Sequence, residues 1–239
     1  MSTEWIIPAA GAGAGLLMLI LFAWGWLGLR RRRLRRRAGT GDWGNAIGFG
    51  MLPSLMTAKA FEAHLAGNAG RALFRPVPEI PWLTENGLFA PDRIEMILFL
   101  GAFLGMCLWL IGRRNDFPPT GDLAGIAMTL WAAIRSVTEW LRAESRLSLA
   151  GWRVVYLLSM AVTLIWLALW TLQRQKRIKN TSQTVLYWLV TVIGSVGLWV
   201  IISGTLSTGS EIGDLAALAG CSAARAAAVL AAGAESRRG

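Results

Sequence analysis

Three charged side chains recur at helical spacing inside an otherwise apolar stretch, LWAAIRSVTEWLRAESR. Arg135, Glu139 and Arg142 follow one another at intervals of four and three residues, so an α-helix projects all three from one face. A guanidinium presents a planar fork of donors that matches phosphate. The spacing therefore predicts a binding site for an anionic headgroup. A purely structural Arg135–Glu139 ion pair, which locks helices together, is the alternative.

The depth of Arg135 in this stretch limits where its side chain can point. Arg135 follows Gly121 by about 14 residues, which is roughly 21 Å along a helix. An arginine buried at that depth in a membrane costs about 2.5 kcal/mol or more unless it is paired or hydrated. We therefore expect this charged face to lie against other helices rather than lipid.

Conventional catalytic sets are absent from the sequence. His64 is the single histidine, and the two cysteines are Cys107 in an apolar block and Cys221 in an alanine-rich tail. These residues supply neither a Ser-His-Asp set nor a cluster of metal ligands. We predict no metal and no cofactor, and no general base is assigned.

Long apolar blocks must position the charged face. The chain is 54% hydrophobic and only 16% charged, whereas soluble domains carry roughly 25% charged residues. A bilayer core takes roughly 20 helical residues to cross, and lipid requires the backbone to bond internally. Strong blocks cover about 6–29, 94–112, 121–141, 150–172 and 184–206, and a weaker one covers 44–62. The sequence predicts an all-α polytopic transmembrane helix bundle with five to six spanning helices.

The segments beside the blocks complete the predicted organisation. Residues 1–206 form the transmembrane bundle, and residues 207–239 form an alanine-rich C-terminal tail that is helical or partly disordered. Glycines predict close helix packing within 44–62, and the Gly101–Gly105 pair predicts it in the next block.

The net charge of +10 is concentrated in clusters beside the apolar blocks, where it sets topology. Seven arginines within 30–37 follow the first block. The positive-inside rule makes that block an uncleaved anchor with its N-terminus outside. We therefore predict a multi-pass membrane protein that does not bind nucleic acid.

One part of the chain resembles a known family. Residues 117–172 contain four features in a fixed order. These are a Pro-x-Gly entry at Pro119 and Gly121, a helix with Arg-x-x-x-Glu-x-x-Arg, an acidic loop at Glu144, and the segment LSLAGW. This order resembles the C-terminal part of prolipoprotein diacylglyceryl transferases. The segment Pro91-Asp92-Arg93-Ile94-Glu95 is similar to the family's His-Pro-x-x-Leu-Tyr-Glu, without the His and Tyr.

The resemblance implies a lipid substrate at a bacterial plasma membrane. The family transfers a diacylglyceryl group from phosphatidylglycerol to a lipoprotein cysteine thiol. Arg135 would then hold the lipid phosphate, and Glu139 would orient it. Arg142 and Glu95 complete the implied substrate-binding set. The implied partners are an anionic phospholipid and a lipoprotein precursor.

The chain also departs from the family, which leaves its activity open. The family's His-Gly-Gly and Gly-Asn-Phe-x-Asn motifs are missing from the sequence. One hypothesis is a diverged homologue that binds an anionic phospholipid, with diacylglyceryl transfer either kept or lost. The other is a non-enzymatic membrane scaffold or assembly partner with a structural intramembrane Arg–Glu pair.

Overall fold

In the residues that it describes, the computed structural model has seven helices and two short β-ladders. It describes residues 6–34, 40–65, 83–85, 88–112, 122–142, 148–149, 152–175, 181–203 and 208–236. The helices are α1 (Ile6–Leu34), α2 (Thr40–Leu65), α3 (Pro91–Gly112), α4 (Asp122–Trp140), α5 (Val154–Gln175), α6 (Thr181–Ile202) and α7 (Glu211–Ser236). Strands β1 (Thr84–Glu85) and β2 (Leu88–Phe89) pair antiparallel before α3, and β3 (Ser148–Leu149) and β4 (Trp152–Arg153) pair antiparallel before α5.

Five of the described helices are long and apolar enough to cross a membrane: α1, α3, α5, α6 and α7. The predicted all-α bundle of membrane-spanning type is therefore confirmed. The set of helices differs from the predicted strong blocks, because α4 is not among the five and α7 is. Arg135 and Glu139 lower the hydropathy of α4, whereas most residues of α7 are alanine, leucine, valine or glycine.

Exposed apolar side chains cover the outer faces of the candidate spans. On α6 these are Val185, Leu186, Leu189, Val192, Ile193 and Val196. An extended apolar surface is unfavourable in water and favourable against acyl chains. The chain is therefore built as a multi-pass membrane protein.

The chain divides into two compact units. One holds α1, α2, α3 and α4 up to Ala127, and the other holds α4 from Met128 with α5, α6 and α7. In the first unit, α1 and α2 approach closely: a Cβ on Gly50 would lie 2.7 Å from the Leu19 carbonyl oxygen. The rings of Phe22, Phe49 and Phe103 join α1, α2 and α3 at centroid separations of 5.4–5.9 Å.

Glycine also brings α2 against the start of α4 within the first unit. A Cβ on Gly48 would lie 2.2 Å from the Ala124 backbone nitrogen. Beside it, the Leu123 backbone N–H donates to the Asn45 side-chain oxygen at 3.0 Å, which satisfies one of the free donors at a helix N-terminus. The close packing predicted for the glycines of 44–62 is confirmed at Gly48 and Gly50. The packing predicted at Gly101 and Gly105 is wrong within the described chain, because a Cβ on either meets nothing within 4 Å.

In the second unit α7 packs on α5 and α6. Gly194 and Gly197 of α6 approach α7, since a Cβ on Gly197 would lie 2.8 Å from the Cys221 sulfur. Gly233 lets α7 lie against the Trp170 indole, which would be 2.9 Å from a Cβ there. Small residues on both helices therefore permit the close approach expected of helices in lipid.

The alanine-rich segment forms one continuous helix, α7, with a defined beginning. The Gly213 backbone N–H donates to the Ser210 hydroxyl oxygen at 3.0 Å, so Ser210 is the N-cap. Gly209, at φ 82°, turns the chain into the helix. Alanine has the highest helix propensity, and Glu211 and Asp214 favour the first turn through the helix dipole.

Candidate anion-binding site

The structure brings Arg135, Glu139 and Arg142 together at the end of α4. One Arg135 Nη lies 3.3 Å from Glu139 Oε2, and Arg142 Nε lies 3.5 Å from the same oxygen. Spacing along α4 accounts for the Arg135–Glu139 contact, since the two are four residues apart. Arg142 lies two residues beyond the end of α4, where its backbone N–H still donates to the Glu139 carbonyl oxygen at 3.3 Å. We call these three residues the arginine cluster.

Burial differs across the arginine cluster. The side chains of Glu139 and Arg142 are 2% and 3% exposed, whereas that of Arg135 is 14% exposed. One carboxylate meets two guanidiniums, so the three residues together carry one net positive charge. Charge interactions in a site of low dielectric are stronger than in water. The arginine cluster can therefore attract an anion, and Arg135 is its most accessible member.

Glu95, the fourth predicted site residue, lies in the first unit, whereas the arginine cluster belongs to the second. Its carboxylate is fully buried, 3.5 Å from Lys59 Nζ, and Lys59 also donates to the Asp92 carboxylate at 3.2 Å. The charges of Lys59, Asp92 and Glu95 sum to one net negative charge, which does not suit a phosphate. Within the first unit, Glu95 of α3 therefore forms an ion pair with Lys59 of α2, and its predicted role in substrate binding stays a prediction.

Sequence reasoning missed two cations, the partly buried Lys59 as a partner of Glu95 and the buried Arg225 on α7. Arg225 is completely buried and donates to the hydroxyls of Ser136 and Ser159 at 3.1 and 3.4 Å. The available signal was a lone arginine in the alanine run AARAAAVLAAG, where a charged residue is costly. In the described part of the chain, no group of three or more His, Cys, Asp or Glu residues could hold a metal ion.

Several residues on which the family resemblance depends can be placed in the structure and others cannot. Arg135, Glu139, Arg142 and Glu95 are described, whereas Pro119, Gly121 and Glu144 lie outside the described residues. Comparisons of the chain with family models, with curated proteins and with solved structures find no match.

Proposed function

We propose that this membrane protein binds the phosphate of an anionic phospholipid headgroup, of the phosphatidylglycerol type, through Arg135 and Arg142. Glu139 acts as the positioning residue, because its carboxylate contacts both guanidiniums. The observation that carries the proposal is that two guanidiniums converge on the buried Glu139 carboxylate, and that Arg135 keeps part of its side chain exposed.

Accessibility supports Arg135 as the first contact with the lipid. Its side chain keeps 14% of its surface exposed while Glu139 and Arg142 are almost fully covered. A guanidinium has five N–H donors in a planar fork, which lets Arg135 contact Glu139 and a phosphate at the same time. Two parallel hydrogen bonds from the Arg135 guanidinium to one phosphate would form a strong, charge-assisted contact.

The resemblance of 117–172 to prolipoprotein diacylglyceryl transferases supports the choice of phosphatidylglycerol among anionic lipids. If the resemblance holds at this helix, Arg135 and its neighbours in this chain face the lipid phosphate. The proposal includes headgroup binding and a bacterial plasma membrane location, and it assigns no base for transfer to a thiol.

The scaffold hypothesis is the second candidate, and the burial of Glu139 and Arg142 is the observation that favours it. Buried ion pairs are weak evidence for stability, although breaking one is costly. The Arg135–Glu139 and Glu139–Arg142 contacts both lie within residues 135–142. These two contacts therefore do not themselves tie α4 to a neighbouring helix, which is what a scaffold pair would need to do.

Thermal stability in detergent with defined additives separates the two functions. We expect phosphatidylglycerol to raise the melting temperature of the wild-type protein, and phosphatidylcholine to raise it less. Arg135→Leu should abolish the difference between the lipids, and Arg135→Lys should reduce it because a point charge replaces a bidentate fork.

Two controls define the outcome. Arg93→Leu removes a guanidinium from the other unit and should keep the full lipid difference. Inorganic phosphate tests the source of the ligand, since a free anion that reproduces the whole effect would show that the lipid is not required. A lipid difference that persists unchanged in Arg135→Leu would exclude Arg135 from the site.

A further inference from the structure

Arg225 is a fully buried cation whose contacts are all with neutral groups. It lies on α7 within a candidate membrane span, and its exposed fraction is 0%. One Nη donates to Ser136 on α4 and to Ser159 on α5, both of which are also fully buried. Its Nε and other Nη have no hydrogen-bond partner in the described part of the chain.

The two serines stabilise the guanidinium only as dipoles. The Ser136 hydroxyl lies 2.7 Å from the Ala132 carbonyl oxygen, and the Ser159 hydroxyl donates to the Tyr156 carbonyl at 2.9 Å. Their lone pairs are thereby directed at Arg225, but neither residue carries a negative charge. Arginine cannot escape the cost by losing its proton, because a guanidinium stays protonated in proteins.

The described buried side chains of the second unit carry more positive than negative charge. Among its described residues, the fully buried charged side chains are Glu139, Arg142 and Arg225. Glu139 is already engaged by Arg135 and Arg142. An uncompensated buried charge is strongly destabilising, so an anion bound beside Arg225 would stabilise this unit.

A second buried donor lies on the same face of α7. Ser222 precedes Arg225 by three residues, is 2% exposed, and its hydroxyl has no hydrogen-bond partner in the described chain. Residues three apart are neighbours on a helix, and side chains lean toward the helix N-terminus. Ser222 therefore lies on the face of α7 that carries Arg225.

We propose that Arg225 and Ser222 bind a small inorganic anion of the chloride class among α4, α5 and α7. The free Arg225 Nε–H and Nη–H groups and the Ser222 hydroxyl supply the donors. A small ion fits the observations better than a lipid headgroup because Arg225, Ser136 and Ser159 are all closed to the surface. This site is additional to the proposed headgroup site, and depends on different residues.

Replacement of gluconate by chloride at constant ionic strength tests the proposal in the purified full chain. We expect sodium chloride to raise the wild-type melting temperature relative to sodium gluconate, and sodium bromide to do the same. Ser222→Ala should weaken the apparent chloride affinity roughly fivefold, the effect of one lost hydrogen bond.

Arg225→Gln keeps a polar side chain at the site and removes the charge. This variant should show no chloride dependence, and in gluconate it should melt at or above the wild-type temperature because no buried charge awaits a counter-ion. Arg93→Leu, the matched loss of a guanidinium in the other unit, should keep the wild-type chloride response. A wild-type protein equally stable in chloride and gluconate, or a chloride effect retained in Arg225→Gln, would overturn the proposal.

Discussion

At the scale of single residues, the arginine cluster depends on Glu139. Both guanidiniums contact its Oε2 atom: an Arg135 Nη lies 3.3 Å from it, and Arg142 Nε lies 3.5 Å from it. The helical spacing in the sequence predicts these contacts, because they are local. The contacts of Arg225 with Ser136 and Ser159 could not be predicted in this way, since they join residues 89 and 66 positions apart and depend on how the helices pack.

The shared carboxylate predicts unequal costs for removing the members of the arginine cluster. Glu139→Gln leaves two guanidiniums around a neutral amide and should destabilise the protein by about 3 kcal/mol or more. Arg135→Leu leaves Glu139 in contact with Arg142, so the loss should be only about 1 kcal/mol. Chemical denaturation of both variants in one detergent measures the difference. Equal losses would show that Arg135 and Glu139 behave as an isolated pair.

At the scale of elements, hydropathy predicted most of the candidate spanning helices, whereas glycine spacing did not predict which helices pack closely. The blocks that became α1, α3, α5 and α6 were found from length and apolar content. The span-like character of α7 was not predicted, because alanine contributes little hydropathy per residue and the Ser210 cap was not recognised. Glycine spacing alone could not separate Gly48, which meets a backbone, from Gly105, which meets nothing.

Gly48 and Gly105 therefore form a matched pair for a test of helix packing. Gly48→Ala places a methyl group against the backbone of Ala124 and should cost about 1–3 kcal/mol through overpacking. Gly105→Ala meets open space and should be neutral or stabilise the helix by up to about 1 kcal/mol. The free energy of unfolding of each variant is the measurement. A Gly48→Ala protein as stable as Gly105→Ala would exclude a close α2–α4 contact.

At the scale of the whole molecule, apolar faces and charge clusters define the relation to the bilayer. The exposed apolar residues on the candidate spans place those helices against lipid. Direction across the membrane depends on the arginine run at 30–37, most of which lies outside the residues whose side chains are described. The orientation with the N-terminus outside therefore remains a prediction from charge alone.

Cysteine labelling tests that orientation. In a variant with Cys107 and Cys221 replaced by alanine, an impermeant maleimide added to intact cells should label Ser2→Cys and not Gly39→Cys. Membrane permeabilisation should make both positions reactive, which controls for accessibility. Labelling of Gly39→Cys alone in intact cells would reverse the topology.

The most direct test of the proposed headgroup site is a crystal structure of the protein grown in lipidic mesophase containing phosphatidylglycerol. The account predicts phosphate density within hydrogen-bond distance of the Arg135 guanidinium, with Glu139 still in contact with Arg135 and Arg142. An Arg135 side chain bonded only to protein groups at saturating phosphatidylglycerol, with no headgroup density beside it, would contradict the account.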